Sequence, residues 1–298
     1  MSEHAGEIAG ICASLLWAIS SLVFSRAPVP AGALNLFKNL VASVLLLGTI
    51  SMVAMGQHAP FLSADQRAVG WLALSGLIGI VLGDTCFFRS LQILGARRSL
   101  VLSTLAPPLA GALGWLFLDE RLSAWAMVGM LCTLSGVIWV VRDPTLVADG
   151  AGHFPGSSSL AIAYGVLGSL CQAAGVVLAK LGMQAVHPLE ASFLRLAIAA
   201  GTGLLLAALF GRLGGWTRSL IASGVALRLA AAAACGTYLG IYLSLVASKH
   251  APVAVASTLT TLSPIFVIPL ARIFLGWPIS PRSLVGSAVA IAGVILLF

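Results

Sequence analysis

The chain has 298 residues, of which 59% are hydrophobic and only 8% are charged, and its formal net charge is +7. A soluble domain usually carries about 25% charged residues, so this chain has too few to cover a water-exposed surface. The composition therefore excludes an ordinary soluble protein. The positive charge is spread over short loops between apolar runs, which is typical of membrane topology and not of nucleic-acid binding.

Ten apolar stretches follow one another along the chain, and a bilayer core needs about 20 residues per helix. We therefore predict an all-α integral membrane protein with ten transmembrane helices. The predicted spans are 7–26, 33–55, 69–92, 98–118, 124–141, 159–183, 189–211, 225–248, 252–275 and 282–298. All five cysteines lie in these runs, which favours packing over a disulfide framework.

The second half of the chain repeats the pattern of the first. Residues 82–141 align without a gap with 239–298, an offset of 157 that pairs Pro107 with Pro264. Five spans per half is an odd number, so the second half enters the membrane from the opposite face. The pattern predicts two inverted repeats, an architecture typical of alternating-access carriers. We expect a first repeat over 1–141, a linker over 142–158 and a second repeat over 159–298.

Four stretches carry a resemblance to a known family. They are "GICASLLWAIS" in the first span, "NLFKNLVAS" in the second, "GDTCFFRSLQILGARRS" through the third, and "LAPPLAGALGWLFLDERLSAWAMVGMLCTLSGVIWVV" through the fourth and fifth. In these residues the chain resembles EamA-type, ten-helix members of the drug/metabolite transporter superfamily over nearly its whole length. The resemblance implies a secondary carrier in the plasma or inner membrane that moves small metabolites, often outward and often coupled to protons.

The resemblance also points to one residue at the end of the fourth span. The family's glutamate after the fourth helix matches Glu120 of this chain. The equivalent position in the second half is Trp277, a departure from the pattern that leaves a paired role for the acid open.

Asp84 is the leading candidate for a functional site. An ionisable group near the middle of a bilayer costs about 2.5–3.5 kcal/mol on insertion scales and usually marks a transport pathway. Alignment of the two repeats extends the third span to about Leu91, which places Asp84 roughly two-thirds of the way across the membrane. The residue aligned with Asp84 in the second repeat, its repeat mate, is the apolar Ile241. We predict a proton or cation site at Asp84. Arg89 is a second candidate, although its longer side chain could also reach the interface.

Polar residues in the second and seventh spans are further candidates for substrate or ion binding. Asn35, Lys38 and Asn39 form one stripe at helical spacing. Lys38 either faces a cavity or extends to the headgroups from near the helix start. In the seventh span, Arg195 is aligned with Asn39 in the repeat, and Glu190 is either a site residue or an N-terminal acid favoured by the helix dipole.

Two pairs of larger side chains complete the candidates. Trp17 and Gln172 are repeat mates expected near mid-membrane, where the halves meet. Trp17 suits packing as well as substrate stacking, whereas a buried Gln172 needs a polar partner. Tyr238 and Tyr242 share one face of the eighth span, and either supply hydroxyls to a cavity or pack at an interface.

Two packing features recur in both halves. Pro107 and Pro264 are predicted inside helices, where each removes a backbone hydrogen bond and produces either a static kink or a hinge. Small residues at helical spacing predict close contact between helices. In the fifth span these are Gly129, Thr133 and Gly136, and in the tenth they are Gly286, Ala290 and Gly293.

The pattern as a whole predicts a secondary active transporter. All five histidines lie in tails or loops, and HExxH, GxSxG and GxxxxGK[ST] motifs are absent, so we expect no enzyme, metal site or cofactor. The expected partners are the lipid bilayer, a small-molecule substrate and protons, without nucleic acid, for a monomer or a homodimer. A site with both charge signs suits an amino acid or another amphipathic solute, and we expect export. The alternatives are a channel and a membrane-embedded enzyme.

Charge and family resemblance disagree about the orientation. Loops after odd-numbered spans hold 11 of the 16 Lys and Arg residues, which by the positive-inside rule places both termini outside. The resemblance implies that both termini are in the cytoplasm. Both orientations stay open at this point.

Overall fold

The computed structural model describes residues 4–24, 27–57, 64–94, 99, 102–141, 157–184, 186–275 and 280–296. All regular structure within these residues is helical. In chain order the helices are α1 (Ala5–Phe24), α2 (Ala31–Gln57), α3 (Gln66–Leu94), α4 (Ala106–Leu118), α5 (Ala124–Val141), α6 (Ser158–Gly182), α7 (Pro188–Leu209), α8 (Leu213–Ala222), α9 (Ala226–His250), α10 (Val253–Thr260), α11 (Ser263–Leu275) and α12 (Pro281–Ile295).

The helices lie where the ten spans are predicted. Six of the described helices are long and apolar enough to cross a membrane: α1, α2, α3, α6, α7 and α9. The ninth span is divided into α10 and α11, and α4, α5 and α12 are shorter apolar helices. The short helix α8 was not predicted, because it lies in a connection that reads as a loop. The predicted linker lies outside the described residues except for its last two positions.

Repeat mates α5 and α12 pack against each other in opposite directions. Gly136 of α5 packs against Gly286 of α12, and Gly293 of α12 packs against Gly129 of α5. Gly136 and Gly293 are mates, and so are Gly129 and Gly286, so the contact is the same when viewed from either helix. This two-fold relation confirms the prediction of inverted repeats.

Two hydrogen bonds at equivalent positions also join the halves. Ser75 of α3 donates to the carbonyl of Gly175 in α6 at 2.5 Å, and Ser20 of α1 donates to the carbonyl of Ala232 in α9 at 3.0 Å. Ser20 and Gly175 are 155 residues apart, as are the repeat mates Trp17 and Gln172, and Ser75 and Ala232 are 157 apart, as are Pro107 and Pro264. The two bonds therefore occupy the same place in the two-fold arrangement, with donor and acceptor exchanged.

Two long helices contain a π-helical segment, and the two segments begin at equivalent positions. They are Gly76–Asp84 in α3 and Ala233–Leu239 in α9. A π-helix bonds each N–H to the carbonyl five residues earlier, which widens the turn, and such segments are frequent at functional sites. The first segment ends on Asp84, so the predicted site residue lies where the helix returns to α geometry.

Side chains from other helices bond to carbonyls within both widened segments. Asn35 donates to the carbonyl of Ile80 at 3.0 Å, and the indole of Trp17 donates to the carbonyl of Gly236 at 2.8 Å. A backbone carbonyl inside a membrane is costly when unpaired. These bonds therefore help to stabilise an irregular backbone in both halves.

The prediction that Pro107 and Pro264 lie inside continuous helices is wrong. Pro107 is the second residue of α4, after a turn at 104–105, and Pro264 is the second residue of α11, after a turn at 261–262. A proline in the first helical turn lacks an N–H that would have no intrahelical partner anyway. The chain thus breaks at equivalent places in both halves instead of kinking. The side chain of Pro264 lies outside the described residues.

Replacing Gly136 with alanine should destabilise the protein, because the added methyl carbon would lie 2.5 Å from backbone atoms of Gly286 and Ala290. Overpacking of this kind costs about 1–3 kcal/mol. Gly201→Ala in α7 is the matched control, since nothing lies within 4 Å of its Cβ position. Thermal unfolding in detergent measures both variants, and equal melting temperatures would contradict the close α5–α12 contact.

Candidate functional site

Asp84 is bound by side chains from both halves of the protein. Its Oδ2 forms an ion pair with Nζ of Lys38 in α2 at 2.7 Å, and Nε2 of Gln172 in α6 donates to its Oδ1. The side chain of Lys38 is only 5% exposed and that of Asp84 is 17% exposed. Charges this far from water need partners, because removing them from solvent costs several kcal/mol each. The predicted need of Gln172 for a polar partner is met by Asp84.

Amide side chains on α2 extend this pair into a longer network. Lys38 Nζ donates to Oδ1 of Asn39, and Nδ2 of Asn39 donates to Oδ1 of Asn35, both at 3.1 Å. Nδ2 of Asn35 in turn donates to the carbonyl of Ile80 and to the hydroxyl of Thr85, both at 3.0 Å. The stripe on the second span is therefore one hydrogen-bonded chain, and Lys38 points inward and not toward the headgroups.

Arg195 of α7 lies beside this network and is 5% exposed. Its backbone packs against Gly76 and its guanidinium against Gly79, both in the π-helical segment of α3. Asp84 is near enough to interact with the guanidinium electrostatically. Within the part of the chain that the structure describes, Nε of Arg195 has no hydrogen-bond partner. The cluster of Lys38, Arg195 and Asp84 thus holds two cations and one carboxylate.

A cavity of about 550 Å³ adjoins the network between α2, α3 and α7. It lies at the face of the protein where α2 begins and where α3 and α7 end. Arg89 is half-buried in its wall, and Trp216 of α8 also lines it, with its ring packed against Gly32. The polar residues in the wall are Asn35, Asn39, Thr85, Arg89, Gln92, Tyr164 and Arg212.

On the opposite face, Glu120 joins the two halves. Asp119 ends α4 in the left-handed conformation, with φ +53°, and the N–H of Glu120 bonds back to the carbonyl of Gly114. Oε1 of Glu120 then forms an ion pair with Nζ of Lys180 in α6 at 2.5 Å. Its Oε2 accepts the N–H of Val253 at 2.6 Å, at the start of α10. A carboxylate is favoured there by the helix dipole.

The remaining predicted candidates do not line the 550 Å³ cavity. Trp17 bonds to the π-helical segment of α9, and the hydroxyl of Tyr238 shares a hydrogen bond with Thr49 at 2.9 Å. Tyr242 is half-buried on α9. Glu190 lies in the first turn of α7, where the helix dipole favours an acid. Among the described residues no cluster of His, Cys, Asp and Glu could hold a metal ion.

The family model described as the EamA-like transporter family matches the chain twice, over residues 4–142 and 159–298. The chain belongs to the EamA-like transporter family. It is a multi-pass membrane protein, and members of this family are transporters typically found in the plasma membrane. Trp277 lies outside the described residues.

Two further proteins are similar to this EamA-like chain. Protein LicB of Haemophilus influenzae (strain ATCC 51907 / DSM 11121 / KW20 / Rd) is 23% identical over 193 residues, which are 64% of this chain and 63% of LicB. The match therefore spans less than two-thirds of LicB. A protein of known crystal structure superposes with a TM-score of 0.73 at 16% identity, over 99% of this chain and 98% of that one. At that identity the likeness is one of fold alone.

Sequence reasoning missed three features of this EamA-like site. The ion pair between Lys180 and Glu120 was not predicted, because Lys180 looks like an ordinary cation at the end of an apolar span. The available signal was that Lys180 and Glu120 both lie at the ends of spans on the same face of the membrane. The helix α8 has only the weak signal of Trp216 and two arginines in a loop. The π-helical segments have no sequence signal that we recognise.

Removing one partner of the Asp84–Lys38 pair should destabilise the EamA-like fold more than removing both. Lys38→Met leaves a poorly paired carboxylate, and Asp84→Leu leaves a poorly paired ammonium, each at a cost of about 3 kcal/mol. The double variant buries neither charge and should recover most of that loss. Chemical unfolding of all three in detergent gives the coupling energy. Additive losses in the double variant would show that the pair does not interact.

Proposed function

We propose that this EamA-like protein is a secondary carrier that moves small amphipathic solutes by alternating access. One observation carries the proposal: a cavity lies at one face, whereas Glu120 joins the halves at the other. The Asp84 network lies between them, about two-thirds of the way along the 29-residue helix α3. Carriers built from inverted repeats bind their solutes at this kind of interface.

The change of access would exchange contacts between the halves. Opening the Glu120 face requires Glu120 to release Lys180 and the N–H of Val253. The cavity face would then close as α2 approaches α7. In this scheme the α3–α6 and α1–α9 contacts would act as the pivot, because small residues bring the backbones close together there.

Asp84 is the group that we propose as the proton carrier. A proton on the carboxylate removes its charge and hence its attraction to Lys38, so protonation would loosen the contact between α2 and α3. A bound proton and a bound solute would act on the same cluster, so their binding would be coupled. A proton gradient would then drive the movement of the solute.

The hydrogen-bonded network also favours a carrier over a channel. It lies at the inner end of the cavity, and the Glu120 contacts lie beyond it. A channel would need both layers to be open at the same time. A carrier needs only one of them open in each state.

Counterflow in proteoliposomes tests this proposal. Vesicles holding the purified protein are loaded with unlabelled amino acids or other amphipathic metabolites, and uptake of the labelled solute is followed with and without a pH gradient. A carrier accumulates the label transiently, and the gradient should change its flux. Flux without counterflow would identify a channel.

The matched variants in this assay are two acid-to-amide changes on α3. Asp84→Asn should abolish the dependence on the pH gradient while the protein stays folded. Asp65→Asn should behave as the wild type, because Asp65 only caps the start of α3 and asparagine caps equally well. A gradient dependence that survives in Asp84→Asn would rule out proton coupling through this residue.

A further inference from the structure

The charged groups around the cavity are mostly cations. Arg89 and Arg212 line its wall, and no Asp or Glu is among the described residues that do so. At the inner end, the carboxylate of Asp84 is accompanied by Lys38 and Arg195. Among the described residues, the cavity and its inner cluster therefore hold four cations and one carboxylate, which favours a negatively charged ligand.

Arg195 continues the stripe of α7 that faces the cavity. Ala199, Gly203 and Ala207 line the wall at a spacing of four residues, and Arg195 lies one helical turn deeper on the same face. These three residues are small, and Leu36 of α2 packs beside Gly203, whereas Arg195 itself lies beyond the residues that line the cavity. The position suits a group that receives the end of a ligand lying along α7.

The buried guanidinium of Arg195 has one N–H donor without a hydrogen-bond partner among the described residues. A guanidinium has five N–H donors and no acceptor, and buried donors without acceptors are costly. Nε of Arg195 has no hydrogen-bond partner among the described residues. An anionic group of a ligand would supply the acceptor oxygens, in the bidentate geometry that arginine favours.

Asp84 does not offer a comparable place for a positively charged ligand. Each of its oxygens already accepts one hydrogen bond, from Lys38 at Oδ2 and from Gln172 at Oδ1. An ammonium group approaching Asp84 would also meet the like charges of Lys38 and Arg195. The cluster therefore disfavours both a cation and the ammonium end of a zwitterion.

The rest of the cavity wall suits an apolar group. Its apolar side chains come from α2, α3, α7 and α8, and its volume of about 550 Å³ is within the usual range for small-molecule sites. The large apolar residues are Leu36, Val81, Leu206, Phe210 and Trp216. They lie on the outer side of Arg195, between it and the face of the protein.

We propose that the solute is an amphipathic anion whose carboxylate or phosphate group binds Arg195 and whose apolar body lies between α2 and α7. The proposal rests on the function proposed above and narrows its solute class. The proposed ligand is a soluble anion and not the headgroup of a lipid, because the apolar wall and Arg195 together would surround a compact molecule. Binding can be measured without transport, so the two proposals can fail separately.

The test uses four probes of nearly equal size: 3-phenylpropionate, its amide, the corresponding 3-phenylpropylamine, and the zwitterion phenylalanine. Each is titrated calorimetrically into the full-length protein in nanodiscs of neutral lipid. The carboxylate should bind roughly tenfold to a hundredfold more tightly than the amide, as expected for hydrogen bonds to a charged group. The amine and phenylalanine should bind more weakly than the carboxylate.

Three variants separate Arg195 from general electrostatics. Arg195→Gln should abolish the preference for the carboxylate over the amide. Arg89→Gln changes a half-buried residue of the cavity wall, so it should destabilise the fold less than Arg195→Gln. It should reduce the preference for the carboxylate several-fold. Arg218→Gln, on the exposed part of α8 outside the cavity wall, should leave the preference unchanged.

The following results would overturn the proposal. They are equal or tighter binding of the amine or phenylalanine than of the carboxylate, no preference for the carboxylate over the amide, or a preference over the amide that survives in Arg195→Gln. If Arg195→Gln does not fold, a preference that is unchanged in Arg89→Gln overturns the proposal. Displacement of the carboxylate by added phosphatidylglycerol would assign the site to a lipid headgroup instead. Carboxylate binding without counterflow would contradict the carrier alone, whereas counterflow restricted to zwitterions would contradict the anion alone.

Discussion

The carboxylate of Asp84 lies within a membrane-spanning helix, and the candidate site follows from what that charge requires. An ion removed from water costs several kcal/mol unless partners replace its hydration. Lys38 supplies one partner from the same half of the protein and Gln172 supplies another from the other half. Any movement of the halves must keep Asp84 partnered or protonate it. The protonation state of Asp84 and the relative position of the helices that contact it are therefore coupled.

The scaffold around Asp84 is two-fold, but its chemistry is not. The α5–α12 contact, the paired serine bonds and the two π-helical segments all recur in both halves. Asp84, in contrast, has the apolar mate Ile241, and Arg195 is aligned with the neutral Asn39. The symmetric scaffold can provide two equivalent open states. In the proposed transport cycle, the asymmetric charges would be the binding cluster shared by both states.

Much of the fold and part of the site could be predicted from the sequence, because they depend on local patterns. Hydropathy locates the spans, the offset of 157 gives the repeat, and helical spacing groups Asn35 with Lys38 and Asn39. The rest depends on tertiary contacts. The position of Pro107 in a helix depends on where the preceding turn falls, and the partner of Lys180 depends on how α4 meets α6. A π-helical segment reflects the local backbone register, which the side-chain pattern does not encode.

Alternating access is the central claim, and distance measurements between spin labels test it without a known substrate. In a background without the five native cysteines, one label pair at Ser123 and Gln184 spans the Glu120 contact, and another at Pro28 and Leu209 spans the cavity. Glu120→Gln should lengthen the first distance and shorten the second. Lengthening of both distances together, or no change in either, would contradict alternating access.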